Sequence, residues 1–221
     1  MNKALKLLSR INLKTIRFNL KYFPLKVALK LPVIIHRNVF LYKMNGKVII
    51  NGPITTGLIQ IGYGEVAITD FKRSRAIWEV AGEVTFNGRA FIMPGCKISV
   101  MQNAQLIIGD DFNMSVECTI IAQKKIQIGN SSGISWESLV MDTDFHHIYD
   151  ENGVEFNLPK EIIIGDNVWV GCKCTLLKGA EIPSGSIVAA NTMVTKKLTG
   201  EKSIFGGNPV RVLKSNITWK Y

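Results

Sequence analysis

The chain has 221 residues, is 47% hydrophobic and 20% charged, and carries a formal net charge of +10. That composition fits a folded domain with a sizeable core. No apolar run reaches the roughly 18 residues of a spanning helix, so no spanning helix is expected. No continuous h-region or cleavage site follows the basic N-terminus, so the sequence reads as cytoplasmic rather than secreted.

The charge is concentrated at the start. Residues 1–64 hold eleven Lys or Arg and no acid, whereas the remainder carries 16 basic and 17 acidic groups. Within residues 1–45, Leu5, Leu7, Leu8, Ile11, Ile16, Leu20 and Phe23 interleave with Lys3, Lys6, Arg10, Lys14, Arg17 and Lys21. This predicts a basic, amphipathic, helical segment rather than a solvated nucleic-acid arm. Two partners suit it: an anionic membrane at the inner face of the cell, contacted peripherally through residues 1–30, or the surface of its own or a neighbouring subunit. No nucleic-acid partner is expected.

Beyond residue 45 a six-residue period sets in. A weak set runs Val80, Phe86, Ile92 and Ile98, and a second runs Ile108, Met114, Ile120 and Ile126. A third, Ile128, Ile134 and Val140, shares its phase with Ile164, Val170, Leu176, Ile182, Val188 and Val194. A helix would need spacings of 3 and 4, and a plain strand a spacing of 2. Six fits a short strand plus a turn, so the fold class is mainly β, a parallel β-helix over 46–200 with three hexads per coil. Small residues recur at Val168, Cys174, Ala180, Ser186 and Thr192. Cys96, Cys118, Cys172 and Cys174 read as small buried residues of a reduced protein, without metal.

Between Val140 and Ile164 the register is interrupted. Residues 145–161, FHHIYDENGVEFNLPKE, lack the small residues of the hexads and contain the Asn152-Gly153 turn pair, predicting a loop that leaves the coil. Two of the chain's three histidines lie there. After residue 200 a tail, 201–221, is expected to pack on the solenoid.

The segment IGDNVWVGCKCTLLKGAEIPSGSIVAANTMVTKKL, followed by GGNPVRVLK and preceded by MDTDFHHIYDENG, resembles the hexapeptide-repeat acyltransferases. The likeness covers about residues 105–214 and is nearest to the galactoside, maltose and capsular-polysaccharide O-acetyltransferases. Residues 12–62 also resemble the N-terminal region of polysaccharide-cluster acyltransferases. The resemblance implies a left-handed β-helix, against the usual right-handed crossover rule. It also implies a homotrimer, an active site between subunits, and acetyl-CoA as co-substrate with no metal. It implies acetyl transfer to a sugar or glycan hydroxyl in capsule or lipopolysaccharide biosynthesis.

Such a transfer needs a base for the hydroxyl proton and donors for the developing oxyanion. His146 stands at the family's base position, with His147 the weaker candidate. Asp142 and Asp144 are candidates for orienting the imidazole, binding the acceptor or capping a turn. Trp169 matches a tryptophan that lines the acceptor site. Ser115 stands where sugar acetyltransferases carry an asparagine. For the cofactor, the carry-over runs to Gly171, Ala190, Thr195, Lys196, Arg211 and Lys214, the last two meeting CoA phosphates. Cys172 replaces a serine, which leaves a hydrogen bond there open. The rival readings are an amino-sugar N-acetyltransferase, a xenobiotic acetyltransferase and a non-catalytic solenoid. A zinc carbonic anhydrase on the same fold would need three histidine ligands, and His146 and His147 are adjacent.

Overall fold

The inward aliphatics of the hexads close the chain into stacked coils. The structure is a computed structural model that describes residues 7, 9–67 and 69–220. Each coil contributes one strand to each of three sheets, and up to Met193–Val194 each strand pairs in parallel with the third strand before or after it. The first sheet has nine strands, the second seven and the third six. Register stacks like positions into ladders. Ile61, Ile92, Met114, Ile134, Val170 and Val188 form one in the first sheet. Trp78, Ile98, Ile120, Val140, Leu176 and Val194 form one in the second. Phe86, Ile108, Ile128, Ile164 and Ile182 form one in the third. All are buried, and each such side chain contributes roughly 1.5–3 kcal/mol. Consecutive hexad residues read from the sequence fall on successive sheets and stack into these ladders, except Val80 and Ile126, which pair two positions along from Trp78 and Ile128.

Corners between the first and second sheets turn through Glu117, Glu137, Lys173 and Asn191, each with φ of 57–59°. Just inside them Cys118 and Cys174 donate their thiols to Ser135 O and Ala189 O at 2.9 and 3.0 Å. The parallel ladder already begins at Val33, which pairs with Ile59. That start precedes residue 46 because turns of irregular length between the first strands hide the period. At the other end Ile204–Gly206 joins the first sheet, and Arg211–Lys214 folds back on it antiparallel.

The N-terminal helix expected from the sequence is α1 (Leu13–Tyr22), followed by the short α2 (Leu25–Ala28). The expected contributions of Lys3, Leu5, Lys6 and Leu8 lie outside the described residues. Asn12 caps α1 by accepting from the amides of Lys14 and Thr15, and Phe23 ends it in extended conformation before Pro24. Its orientation differs from that of a simple amphipathic helix. The buried face is Thr15, Phe18 and Asn19. Thr15 Oγ1 accepts from Ile35 N at 3.0 Å and donates to Ile35 O at 3.1 Å. Asn19 Oδ1 accepts from Val33 N at 3.2 Å, and its Nδ2 donates to Val33 O at 2.7 Å. These two side chains occupy the edge of the first strand, where a further coil would otherwise pair. Phe18 plugs the coil end against Trp78, with ring centroids 5.3 Å apart. Leu13, Ile16 and Leu20 consequently face outward and are 83%, 41% and 54% exposed. Asn19→Leu should strand both Val33 groups and cost about 1–3 kcal/mol for each. Urea unfolding checks this; an unshifted midpoint would remove the capping role.

Candidate active site

The loop leaves the solenoid between Leu139–Met141 of the second sheet and Ile162–Ile164 of the third. Asp142 marks its root and is fully buried. Its Oδ1 accepts from Gln123 N at 2.7 Å, and its Oδ2 from Lys124 N and Lys125 N at 2.9 and 2.7 Å. The carboxylate therefore holds the turn of the preceding coil and does not face an imidazole. Of the readings open to Asp142, the geometry is that of a turn cap.

Asp144 sits one step out. Its Oδ1 accepts from Asn157 Nδ2 at 2.8 Å and its Oδ2 from Lys178 Nζ at 3.0 Å. Lys178 also donates to Asn157 O at 3.1 Å, and Asn157 Nδ2 donates to His146 O at 2.8 Å. This knot ties the outgoing and returning strands of the loop to the coil. The Lys178 hydrogen bond, reinforced by its charge and by Asn157, holds the Asp144 carboxyl below the usual carboxylate range despite partial desolvation. A lowered value means the tie persists above the ordinary Asp pKa of about 3.9. It is lost as pH falls through the lowered value.

His146 is exposed at the start of the loop, with Nδ1 2.6 Å from the Asp144 carbonyl oxygen. A carbonyl only accepts, so Nδ1 carries the proton and Nε2 presents a lone pair. Asp144 thus orients the ring through its backbone, while its carboxylate anchors the loop. His147 pairs Nδ1 with Glu155 Oε1 at 2.7 Å. Lys178 and Asn157 are not singled out by sequence; a lysine beside a Gly-Ala turn reads as solvated until the fold brings Asp144 to it. Lys178→Met should free the loop and displace the His146 ring. Hydrogen exchange at residues 145–157 checks the mechanism: unchanged protection would rule it out.

Trp169 stands on the first sheet, at the corner leading to the second. Its Nε1 donates to Ser135 Oγ at 2.9 Å, and its ring lies 6.0 Å from that of Trp219. Together with Ser115, Trp136 and Met93 these residues line a cleft of about 330 Å³. The fold therefore joins Ser115 to Trp169 but sets His146 on another corner of the same chain. Trp136 and Trp219 escape a sequence reading because neither occupies a hexad position. Gly171 is buried, and a Cβ there would lie 2.7 Å from Ala190 N, so its size is dictated by the next coil. Ala190, Thr195 and Lys196 are exposed on the last coils, and Arg211 and Lys214 are exposed on the C-terminal hairpin.

No family model matches the chain. It is 36% identical over 104 residues to the polysialic acid O-acetyltransferase of Neisseria meningitidis, covering 47% of this chain and 48% of that protein. It is 30% identical over 146 residues to YJL218W of Saccharomyces cerevisiae, a provisionally named acetyltransferase, covering 65% and 70%. The chain belongs to the hexapeptide-repeat acyltransferases. Its solenoid is the left-handed parallel β-helix of that family. Among solved structures this acyltransferase resembles the polySia-specific acetyltransferase NeuO, with a TM-score of 0.64 and 22% identity over 86% of this chain and 79% of that one. It also resembles a point mutant of AntD, a Bacillus cereus N-acyltransferase solved with dTDP and coenzyme A. There the TM-score is 0.53 and the identity 17%, over 88% and 90% of the two chains. Against the first two curated relatives the acyltransferase spans 62% and 48% of their length. Among the described residues no helix is long and apolar enough to cross a membrane.

Proposed function

We propose that the chain transfers acetyl from acetyl-CoA to a hydroxyl of a surface-polysaccharide sugar, with His146 as general base. The observation that carries this reading is the His146 Nδ1 contact to the Asp144 carbonyl, which leaves Nε2 as the acceptor of a proton. The acceptor hydroxyl gives its proton to Nε2 as its oxygen attacks the thioester carbonyl. The tetrahedral intermediate then collapses, the C–S bond breaks, and the imidazolium returns the proton to the departing CoA thiolate. The thioester donor is supported by the family and by a fold neighbour that holds coenzyme A. The sugar acceptor is supported by the Neisseria relative's name.

Because His146 and the Trp169 cleft lie on different corners, a neighbouring copy in a homotrimer completes the site. Gly171, Ala190, Thr195, Lys196, Arg211 and Lys214 line the CoA path in this reading. The test is transfer of labelled acetyl from acetyl-CoA to a panel of neutral, acidic and amino-sugar glycans. Labelling of hydroxyls supports the proposal. Labelling of amines alone would make the protein an N-acetyltransferase, and no transfer to any sugar would sink it.

The outward Leu13, Ile16 and Leu20 of α1, beside Arg17, Lys21 and Lys43, favour peripheral contact with an anionic leaflet. Each basic group contributes roughly 1 kcal/mol there. Flotation with phosphatidylserine vesicles should recover the protein, and Leu20→Glu should abolish recovery. Equal recovery of both forms would refute the contact.

A further inference from the structure

A second cleft, of about 440 Å³, opens at the N-terminal coils between Arg10, His36, Asn38, Tyr63, Glu65 and Ser74. Its size falls within the roughly 300–1,000 Å³ of small-molecule sites. Arg10 is held in place on three sides. Its Nη1 donates to Gln60 Oε1 at 2.6 Å, its carbonyl accepts from Tyr63 OH at 2.9 Å, and its guanidinium lies 4.5 Å from the centre of the Tyr63 ring. One of five guanidinium donors is used by Gln60, so the fork retains donors in a fixed orientation. His36 packs edge-on against the same tyrosine, with ring centroids 5.0 Å apart. Its Nδ1 accepts from Asn38 N at 3.2 Å, so Nε2 carries the proton and is a donor. Burial, then Arg37, Lys14 and Arg10, lowers the tendency of His36 to take a second proton. The Asn38 amide donates to Phe71 O at 3.2 Å and so fastens the far wall. Glu65 is the acid at the exposed rim.

Oriented N–H donors from Arg10 and His36, in a field set by Arg37 and Lys14, with the Ser74 side chain on the same lining, suit an acceptor-only group. We propose that this cleft binds an oxyanion, carboxylate or phosphate, carried by a sugar. That the bearer is a sugar rests on the proposed glycan acceptor. The adjacent residues Pro94 and Met93 line this cleft and the Trp169 cleft respectively.

Binding to the full-length His146→Ala protein, without any acyl donor, tests the site separately from acetyl transfer. Ligand-observed NMR titrations would use glucuronic acid, glucose 1-phosphate, glucose and inorganic phosphate. At least one charged sugar should bind on the order of tenfold more tightly than glucose. Arg10→Gln should remove about tenfold of that affinity, and Glu65→Gln, on the exposed rim, should raise it several-fold. Equal binding of glucose, or no response to either substitution, would overturn the proposal, as would failure of both charged sugars to bind. Inorganic phosphate binding as tightly as glucose 1-phosphate would assign the site to a free anion and overturn the sugar bearer. Because Glu65→Gln leaves the Arg10 contacts intact, it decides the matter even where Arg10→Gln unfolds.

Discussion

Alanine at position 146 should lower turnover by on the order of 10²–10⁴ with little change in acetyl-CoA affinity. In the proposed reaction the loss is that of the proton acceptor alone. The loop anchor uses the Asp144 carboxylate, Asn157 and Lys178, and none of these bonds involves the His146 ring; Asn157 reaches only its backbone oxygen. A folded, CoA-binding but slow protein is thus expected. His147→Ala is the necessary comparison, because Glu155 gives that ring its own orienting carboxylate. Initial rates at saturating acetyl-CoA separate the two. A near-normal rate for His146→Ala with a collapse for His147→Ala would transfer the base role to the neighbour.

Replacement of Asp142 by asparagine should cost roughly 2–5 kcal/mol of stability. The change is isosteric, so packing is preserved and hydrogen bonding alone is altered. Three backbone amides point at the carboxylate, two of them at Oδ2. Whichever way the asparagine turns, its NH₂ faces at least one of these amides, that of Gln123 when its oxygen serves Lys124 and Lys125, leaving donor facing donor in a buried turn. For a chain of this size each kcal/mol lowers the melting temperature by about 2–4 °C. Thermal denaturation should therefore show a drop of roughly 5–15 °C. A change within experimental scatter would mean that the turn relaxes to other acceptors.

The solenoid was legible because its energetics are written every six residues: an inward position excludes polar side chains wherever Ile164, Val170 and Leu176 recur. The loop was legible for a different reason, since residues 145–161 lack the small residues that accompany the hexads. Asp142 and Asp144 looked alike in DTDF, however. Only the fold shows that one is buried among amides of the preceding coil and the other is half-buried beside a lysine from a later one. The orientation of α1 was hidden for a related reason. Hydrophobic patterning predicts which face of a helix avoids water, but here Thr15 and Asn19 answer to unpaired backbone on Val33 and Ile35, which no pattern records. Gly171 illustrates a third case, in which a residue that fits a cofactor groove by resemblance is already required by the backbone stacked above it.

The placement of Thr15 and Asn19 on the first strand bears on cooperativity. Stacked coils behave as a one-dimensional array, each stabilised by its neighbours, and such arrays melt from their ends inward. The terminal coil has a neighbour on one side only and would fray independently, exposing a strand edge able to recruit another chain. With α1 supplying backbone partners, and Phe18 closing the core, the first coil melts with the array rather than ahead of it. Denaturation should then be a single transition. Removal of residues 1–24 should produce a leading phase confined to the first coils, together with concentration-dependent self-association.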